Sequence, residues 1–196
     1  MSARLVLLGP PGAGKGTQAA RLATRLGVEA ISTGDIFRTN IKGGTELGKI
    51  AQGYSDKGEL VPDEVTNAMV RDKLTSKLAD EGSSIGFILD GYPRNVAQVT
   101  ELDVILKELD VVLDGAVELT ADADVVADRL LKRAQIEGRV DDTEDVIRHR
   151  LDVYTQQTAP IAAVYAERKA LVRVDGLGEI DEVTERLLDA LATTLG

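Results

Sequence analysis

The amino-acid sequence predicts an α/β fold in which a doubly wound, five-stranded parallel sheet carries helices on both faces. Two observations lead to this prediction. Five short aliphatic segments are apolar throughout, which is typical of parallel strands covered on both sides. Segments with helical periodicity lie between them, and alternation of strand and helix along a chain favours α/β architecture.

The elements can be placed along the 196 residues, a length that suits a single domain covering 1–196. The predicted strands are Leu5–Leu8, Val28–Ile31, Phe87–Leu89, Ala116–Leu119 and Leu171–Val174. The predicted helices span 15–26, 62–80, 95–109, 122–136, 143–168 and 179–194. Pro160 predicts a kink in the helix over 143–168, because proline lacks an N–H and its ring clashes with the preceding turn.

Two segments interrupt the alternation. Residues 32–61 contain six glycines between short polar helical stretches and are predicted to form a small appended subdomain. Residues 132–142 include a charged connection between two helices.

Composition and charge exclude several classes of protein. The formal net charge of −10 disfavours nucleic acid and anionic membrane surfaces as partners. The absence of cysteine excludes disulfides and thiolate zinc sites. No signal segment and no apolar run near the ~18 residues of a membrane span is visible, so we expect a cytoplasmic protein.

A glycine-rich stretch joins the first strand to the first helix. The pattern Gly9-x₄-Gly14-Lys15 is that of a P-loop, whose backbone N–H groups wrap phosphates at a helix N-terminus while the lysine adds a mobile charge. A chance Gly/Pro turn before a lysine is the alternative, and the strand-to-helix context argues against it. The Ser or Thr that usually follows the lysine is replaced by Gly16, with Thr17 next.

A carboxylate follows the third predicted strand. Phe87-Ile88-Leu89-Asp90 is a buried strand ending in Asp90, which together with a P-loop predicts a side chain that orients Mg²⁺-bound water. Many strands end in Asp for turn formation alone, so the pairing with the P-loop carries this prediction.

Four separated segments resemble the nucleoside monophosphate kinases, and the adenylate kinase family most closely. They are residues 9–18, Ile31–Asp35 with Arg38, Leu89–Arg94 with Gln98, and the arginine-rich stretch from Arg129 to Arg150. The resemblance covers nearly the whole chain and implies the Mg²⁺-dependent reaction ATP + AMP ⇌ 2 ADP, which maintains the adenine nucleotide balance. Such chemistry depends on positioning and charge neutralisation, so arginines without a nucleophile are expected.

The resemblance also implies a role for each matching residue. For ATP it implies Gly12, Ala13, Gly14, Lys15, Gly16, Thr17, Arg129, Arg133 and Gly178. For AMP it implies Thr33, Arg38, Glu59, Leu60, Val61, Gly91, Tyr92, Pro93, Arg94, Gln98, Arg139 and Arg150. The catalytic cations would be Lys15, Arg94, Arg133, Arg139 and Arg150. Tyr154 and Thr158, which share a helix face, are predicted to be packing residues.

Base preference is predicted from two positions. Thr33 and Gln98 match the residues that contact adenine in this family, whereas pyrimidine-directed relatives usually carry Ala and Asn there. The glutamine amide can accept from the exocyclic amine of adenine and donate to a ring nitrogen. A UMP/CMP kinase or another small-acceptor P-loop kinase is the first alternative. A P-loop GTPase is the second, although no Asn-Lys-x-Asp sequence occurs.

The connection between Arg133 and Arg139 is short. Many bacterial relatives insert a small β-rich lid there, sometimes with zinc, whereas this chain has only residues 134–138 between the two arginines. The resemblance is therefore to the short-lid form, without zinc. We expect an AMP-side flap at 32–61, an ATP-side lid at 132–142, and a monomer.

Overall fold

The computed structural model describes residues 3–81, 85–137 and 143–195. Five parallel strands form one sheet in the spatial order β2-β3-β1-β4-β5. The strands are β1 (Arg4–Leu8), β2 (Glu29–Ser32), β3 (Phe87–Asp90), β4 (Gly115–Thr120) and β5 (Leu171–Asp175). The predicted fold class and the approximate position of every strand are confirmed.

The described helices follow the predicted alternation. They are α1 (Lys15–Leu26), α2 (Thr33–Lys42), α3 (Glu46–Ser55), α4 (Asp63–Glu81), α5 (Val96–Glu108), α6 (Ala123–Glu137), α7 (Glu144–Val153), α8 (Pro160–Glu167) and α9 (Ile180–Leu195). No described helix combines the length and the apolar character that crossing a bilayer requires.

Side chains of successive strand residues point to opposite faces of the sheet, and each face has its own apolar cluster. Val6 and Leu89 pack with α4, α5 and α8 on one face. Leu5, Leu7 and Ile88 pack with α1 and α9 on the other. Leu5–Leu8 and Phe87–Leu89 of the central strands are therefore apolar because both of their faces are buried.

Helices α2 and α3 form the excursion predicted over 32–61. Ser32 caps α2 by accepting a hydrogen bond from the Asp35 N–H at 3.3 Å, and Thr45 caps α3 by accepting from the Gly48 N–H at 3.0 Å. The two helices pack closely, since a Cβ at Gly48 would lie 2.1 Å from the Asn40 carbonyl oxygen. This helix pair stands beside the carboxyl end of the sheet.

Near Pro160 the structure differs from the predicted single kinked helix. One wide turn, Tyr154–Thr158, separates α7 from α8, and the Ala159 N–H donates to the Tyr154 carbonyl at 2.8 Å, five residues back. Pro160 is the first residue of α8, a position where its missing N–H costs nothing. Wide turns of this kind often occur at functional sites.

An ion pair ties α4 to the edge strand β2. Glu29 accepts from Lys73 at 2.9 Å and from Lys77 at 3.2 Å. Burial by itself raises the pKa of Glu29, but the hydrogen bonds and charges of the two lysines outweigh it and lower the pKa. The pair therefore stabilises the fold while Glu29 is ionised.

Candidate active site

A cleft of about 650 Å³ opens at the carboxyl ends of β1, β2 and β3. Its walls come from the loop after β1, the segment after β3, the α2–α3 pair, α6, and α7 with its wide turn. In open parallel sheets the crevice beyond the strand carboxyl ends is the usual ligand site. Most of the predicted site residues converge here.

The loop of residues 9–14 has the shape that its glycines predict. Gly12 has φ +85°, and a Cβ there would lie 2.9 Å from Leu130 Cγ, so only glycine allows the loop to pack against α6. Helix α1 begins at Lys15, which places its N-terminal N–H groups at the cleft. The Lys15 ammonium donates to the carbonyls of Gly9 at 2.8 Å and Pro10 at 2.9 Å, so it lies back over the loop. Gly12, Gly14, Lys15, Gly16 and Thr17 all line the cleft.

Three arginines from separate elements lie near one another in the cleft. Arg38 lies on α2, Arg94 follows β3 and Arg150 lies on α7, and all three line the cleft. The Arg94 guanidinium is open to the cleft yet surrounded by protein atoms, and this burial lowers its pKa. The nearby charges of Arg150 and Arg38 lower the pKa further, while Asp90 opposes them. The mutual repulsion of these cations destabilises the protonated form of Arg94. A cluster of cations of this kind is suited to binding a polyanion.

Backbone contacts hold Arg94 in this position. Its Nε donates to the Gly91 carbonyl at 2.9 Å, and the Thr158 hydroxyl donates to the Arg94 carbonyl at 2.7 Å. Arg94 is thus held at its side chain and at its main chain. The wide turn before α8 therefore supports Arg94, which the family resemblance predicted to be a catalytic cation.

The predicted base-binding residues lie on the α2–α5 side of the cleft. Thr33 is 2% exposed and donates to the Gly91 carbonyl at 2.9 Å. Gln98 is 1% exposed, and its side-chain Oε1 accepts from the Arg94 N–H at 2.7 Å. Three further residues predicted on this side, Glu59, Leu60 and Val61, line the cleft together with Gly91 and Pro93. Both side chains that were predicted to bind the base are in hydrogen bonds that orient them.

Tyr92 differs from its neighbours in the predicted set. Its ring is fully buried in the apolar core, and its hydroxyl donates to Asn67 Oδ1 at 2.7 Å. Burial, with the charges of Glu101 and Asp63, raises its pKa. The Tyr92 side chain therefore anchors the segment that presents Gly91 and Arg94.

A second cavity of about 240 Å³ lies on the other side of the P-loop. Arg129 and Gly178 line it with Ala13 and other P-loop residues, and Arg129 Nη1 donates to the Gly176 carbonyl at 3.3 Å. Arg129 and Thr17 line both cavities. The two spaces thus share part of the P-loop as a common wall.

The side chains of two of the predicted arginines, Arg133 and Arg139, lie outside the described part of the chain. Arg133 lies on α6, one helical turn after Arg129, and its backbone alone is described. Arg139 lies outside the described residues, as does the second part of the connection 132–142 that was predicted as a lid, residues 138–142.

Asp90 lies at the carboxyl end of β3, beside the P-loop. It is 9% exposed, and its Oδ2 would be 3.6 Å from a Cβ at Gly16. Over residues 3–81, 85–137 and 143–195, no three acidic, histidine or cysteine side chains group as metal ligands. One carboxylate beside a phosphate loop suits Mg²⁺, which keeps several waters and binds through nucleotide phosphates.

Three residues in or beside the cleft were not predicted to serve it. Tyr154 and Thr158 line the cleft, and Thr158 bonds Arg94 as described above. Burial and the charge of Glu118 raise the pKa of Tyr154 to about 12, so its phenol is protonated at neutral pH. Asp63 accepts from Gln98 Nε2 at 2.7 Å. Helical spacing predicted that Tyr154 and Thr158 share one face of a helix. Which element packs against that face is determined by the tertiary fold.

Comparison with known proteins agrees with this geometry. The adenylate kinase family matches residues 7–170. An adenylate kinase from Kocuria rhizophila is 65% identical over 188 residues, which cover 96% of this chain and 98% of the relative. Those from Thermobifida fusca and Nocardioides sp. are 55% and 56% identical and cover 96% of this chain, with 97% and 96% of each relative covered. The chain belongs to the adenylate kinase family.

Proposed function

We propose that this chain transfers a phosphoryl group reversibly between ATP and AMP, giving two ADP, with Mg²⁺ as cofactor. One observation carries the proposal: Lys15, Arg38, Arg94 and Arg150 converge on a single cleft in a chain of net charge −10. A molecule that is acidic overall concentrates cations at one place when that place binds anions. Two nucleotides bound with their phosphate groups facing each other together form such an anion.

On the ATP side, the P-loop would hold the phosphates. The N-terminus of α1 lies at the cleft, and the Lys15 ammonium can exchange its contacts with the Gly9 and Pro10 carbonyls for β- and γ-phosphate oxygens. The smaller cavity, lined by Arg129 and Gly178, would receive the adenine. Arg133 and Arg139 are assigned by family resemblance to the phosphates and the transferring group.

On the AMP side, Arg38, Arg94 and Arg150 would hold the monophosphate. A guanidinium presents two parallel donors to a phosphate, which fixes its orientation as well as its charge. Thr33, Gln98 and the segment Glu59–Val61 would hold the base. Fixing both nucleotides in line removes most of the entropy cost of the transfer.

Water must be kept from the phosphoryl group during transfer. We assign this role to residues 32–61 as an AMP-side flap and to 132–142 as a short ATP-side lid. The α2–α3 pair begins directly at β2 and packs mainly on itself, so it can move as a unit while the sheet stays fixed. Closure of such elements is the known behaviour of adenylate kinase lids.

The residues beside the P-loop fit a magnesium ion held by nucleotide oxygens and water. When bound with the nucleotide, the metal would supply neutralisation of phosphate charge. Asp90 is the residue that would orient its waters, because it lies next to Gly16 and reaches the cleft. A cytoplasmic location and a monomeric state complete the proposal.

The proposal is tested by turnover with ATP and each of AMP, GMP, UMP and CMP, together with Lys15→Ala. We expect a strong preference for AMP and a loss of about three orders of magnitude in turnover for Lys15→Ala, since a phosphate clamp supplies several kcal/mol to the transition state. Lys107→Ala, at an exposed position near the end of α5, is the matched control. Equal activity on UMP, or near-normal turnover of Lys15→Ala, would refute the proposal.

A further inference from the structure

The Gln98 side-chain amide is held at both ends by groups of opposite polarity. Its Oε1 accepts from the backbone N–H of Arg94 at 2.7 Å. Its Nε2 donates to Oδ1 of Asp63, also at 2.7 Å. Because the side chain is 1% exposed, water cannot replace either partner freely.

Asp63 stands behind Gln98 in the first turn of α4. It is outside the set of described residues that line the cleft. Both of its oxygens also accept from Asn95 Nδ2, at 2.9 and 3.1 Å. Asn95 in turn caps α5 by accepting from the Gln98 N–H at 2.8 Å. Asp63 therefore fixes the first turn of α5 as well as the glutamine amide.

The two contacts permit one orientation of the amide. An ionised carboxylate only accepts, so it must face the NH₂ end, and a backbone N–H only donates, so it must face the oxygen. Rotating the Gln98 amide by half a turn would set oxygen against carboxylate and NH₂ against N–H. Both hydrogen bonds would be lost and both would become repulsive.

An amide with a fixed orientation distinguishes purines by the hydrogen-bond donors and acceptors that they present at C6 and the neighbouring ring nitrogen. After its two internal bonds, Gln98 keeps one N–H and one acceptor position for a ligand. Adenine offers a donating amine beside an accepting ring nitrogen, whereas a 6-oxopurine offers an accepting oxygen beside a protonated ring nitrogen. The second pattern requires the rotated amide.

We propose that Asp63 is a specificity-determining positioning residue, which fixes the orientation of the Gln98 amide so that the AMP site accepts 6-aminopurine and rejects 6-oxopurine monophosphates. The inference rests on the proposed function, in which Gln98 contacts the AMP base. Asp63 acts through Gln98 and has no contact with substrate itself.

The test compares AMP with inosine monophosphate, which differs from AMP only along this edge of the base. Asp63→Asn keeps the size of the side chain, but the new amide can present either its oxygen or its NH₂ to Gln98. We expect the ratio of kcat/KM for AMP to that for inosine monophosphate to fall about tenfold, the effect of one charge-assisted hydrogen bond. The change should lie in KM for the monophosphate, with kcat and the KM for ATP within about twofold. Glu64→Gln, at the adjacent exposed carboxylate of the same helical turn, should change none of these values.

A double-variant comparison separates positioning from general structural support. In a Gln98→Ala background, adding Asp63→Asn should leave the selectivity ratio unchanged, because the residue through which Asp63 acts is gone. An unchanged ratio for Asp63→Asn in the native background, or an equal fall in both backgrounds, would overturn the inference. If Gln98→Ala itself leaves the AMP preference intact, the base contact in the proposed function fails instead.

A measurement on the unaltered protein needs no Asp63 variant. The Gln98 side-chain NH₂ signals, assigned by their loss in Gln98→Ala, should exchange with solvent more slowly than those of the exposed Gln52 on α3. Exchange as fast as that of Gln52 would show a freely rotating amide and would overturn the inference.

Discussion

Replacing Gly91 by alanine tests how the backbone after β3 supports the cation cluster. Gly91 has φ +80°, and an added Cβ would lie 2.7 Å from Thr33 Oγ and 3.1 Å from Arg94 Nη2. The left-handed backbone costs an alanine about 1–2 kcal/mol, and loss of the Thr33–Gly91 hydrogen bond adds about 1 kcal/mol. We therefore expect the free energy of unfolding to fall by about 2–3 kcal/mol, a decrease in Tm of about 4–12 °C for a domain of this size.

The assay is urea and thermal unfolding of Gly91→Ala, followed by the KM for AMP. The KM should rise because the new methyl group displaces the Arg94 guanidinium, while the KM for ATP should stay unchanged. Gly53→Ala is the matched control, since Gly53 lies in α3 without positive φ and a Cβ there would meet nothing within 4 Å. That change should stabilise the protein by about 0.5–1 kcal/mol. Equal Tm values for Gly91→Ala and the parent protein would refute the reasoning.

Two further perturbations test separate parts of the structure. Thr158→Val removes the hydroxyl that holds the Arg94 carbonyl, so the KM for AMP should rise about two- to tenfold, whereas Thr155→Val, in the same wide turn but bonded to its own helix, should leave that KM unaltered. Glu29→Gln should destabilise the protein by about 1 kcal/mol at pH 7, because Glu29 and Lys73 are partly exposed whereas Lys77, which is 6% exposed, loses a charged partner. Since the α4 lysines lower the folded-state pKa of Glu29, its contribution is full above the ordinary value of 4.5 and is lost as the pH falls through the folded value. Urea unfolding at pH 7 and pH 4 should therefore show the difference between parent and variant shrinking at acid pH, and a difference that grows there would contradict this account.

The α/β fold and half of the site follow from local sequence. Leu5–Leu8 and Phe87–Leu89 are apolar at every position, and only a strand covered on both faces needs such a run. The P-loop is equally local, because its glycines, its lysine and the helix it opens are contiguous. These signals were sufficient to locate the strands, the phosphate loop and Asp90.

Contacts between segments far apart in the sequence were found only in the tertiary structure. Thr158 reaches Arg94 across 64 positions, and Asp63 reaches Gln98 across 35. No periodicity within one helix encodes which helix lies opposite, so Thr158 was predicted to pack in the core. The same limit applies to Tyr92, whose motif placed it at the AMP site while its buried ring anchors the backbone.

The difference between the features predicted from the sequence and those seen only in the tertiary structure has a physical cause. Backbone conformation and phosphate binding depend on neighbours along the chain, so the residue types of one short segment determine them. The orientation of a buried amide or a guanidinium depends on partners from several elements, and these meet only when the sheet order β2-β3-β1-β4-β5 brings the carboxyl ends of the central strands together. The sequence alone determined the position of the predicted phosphate loop, and the folded chain decided which donors and acceptors surround the proposed AMP site.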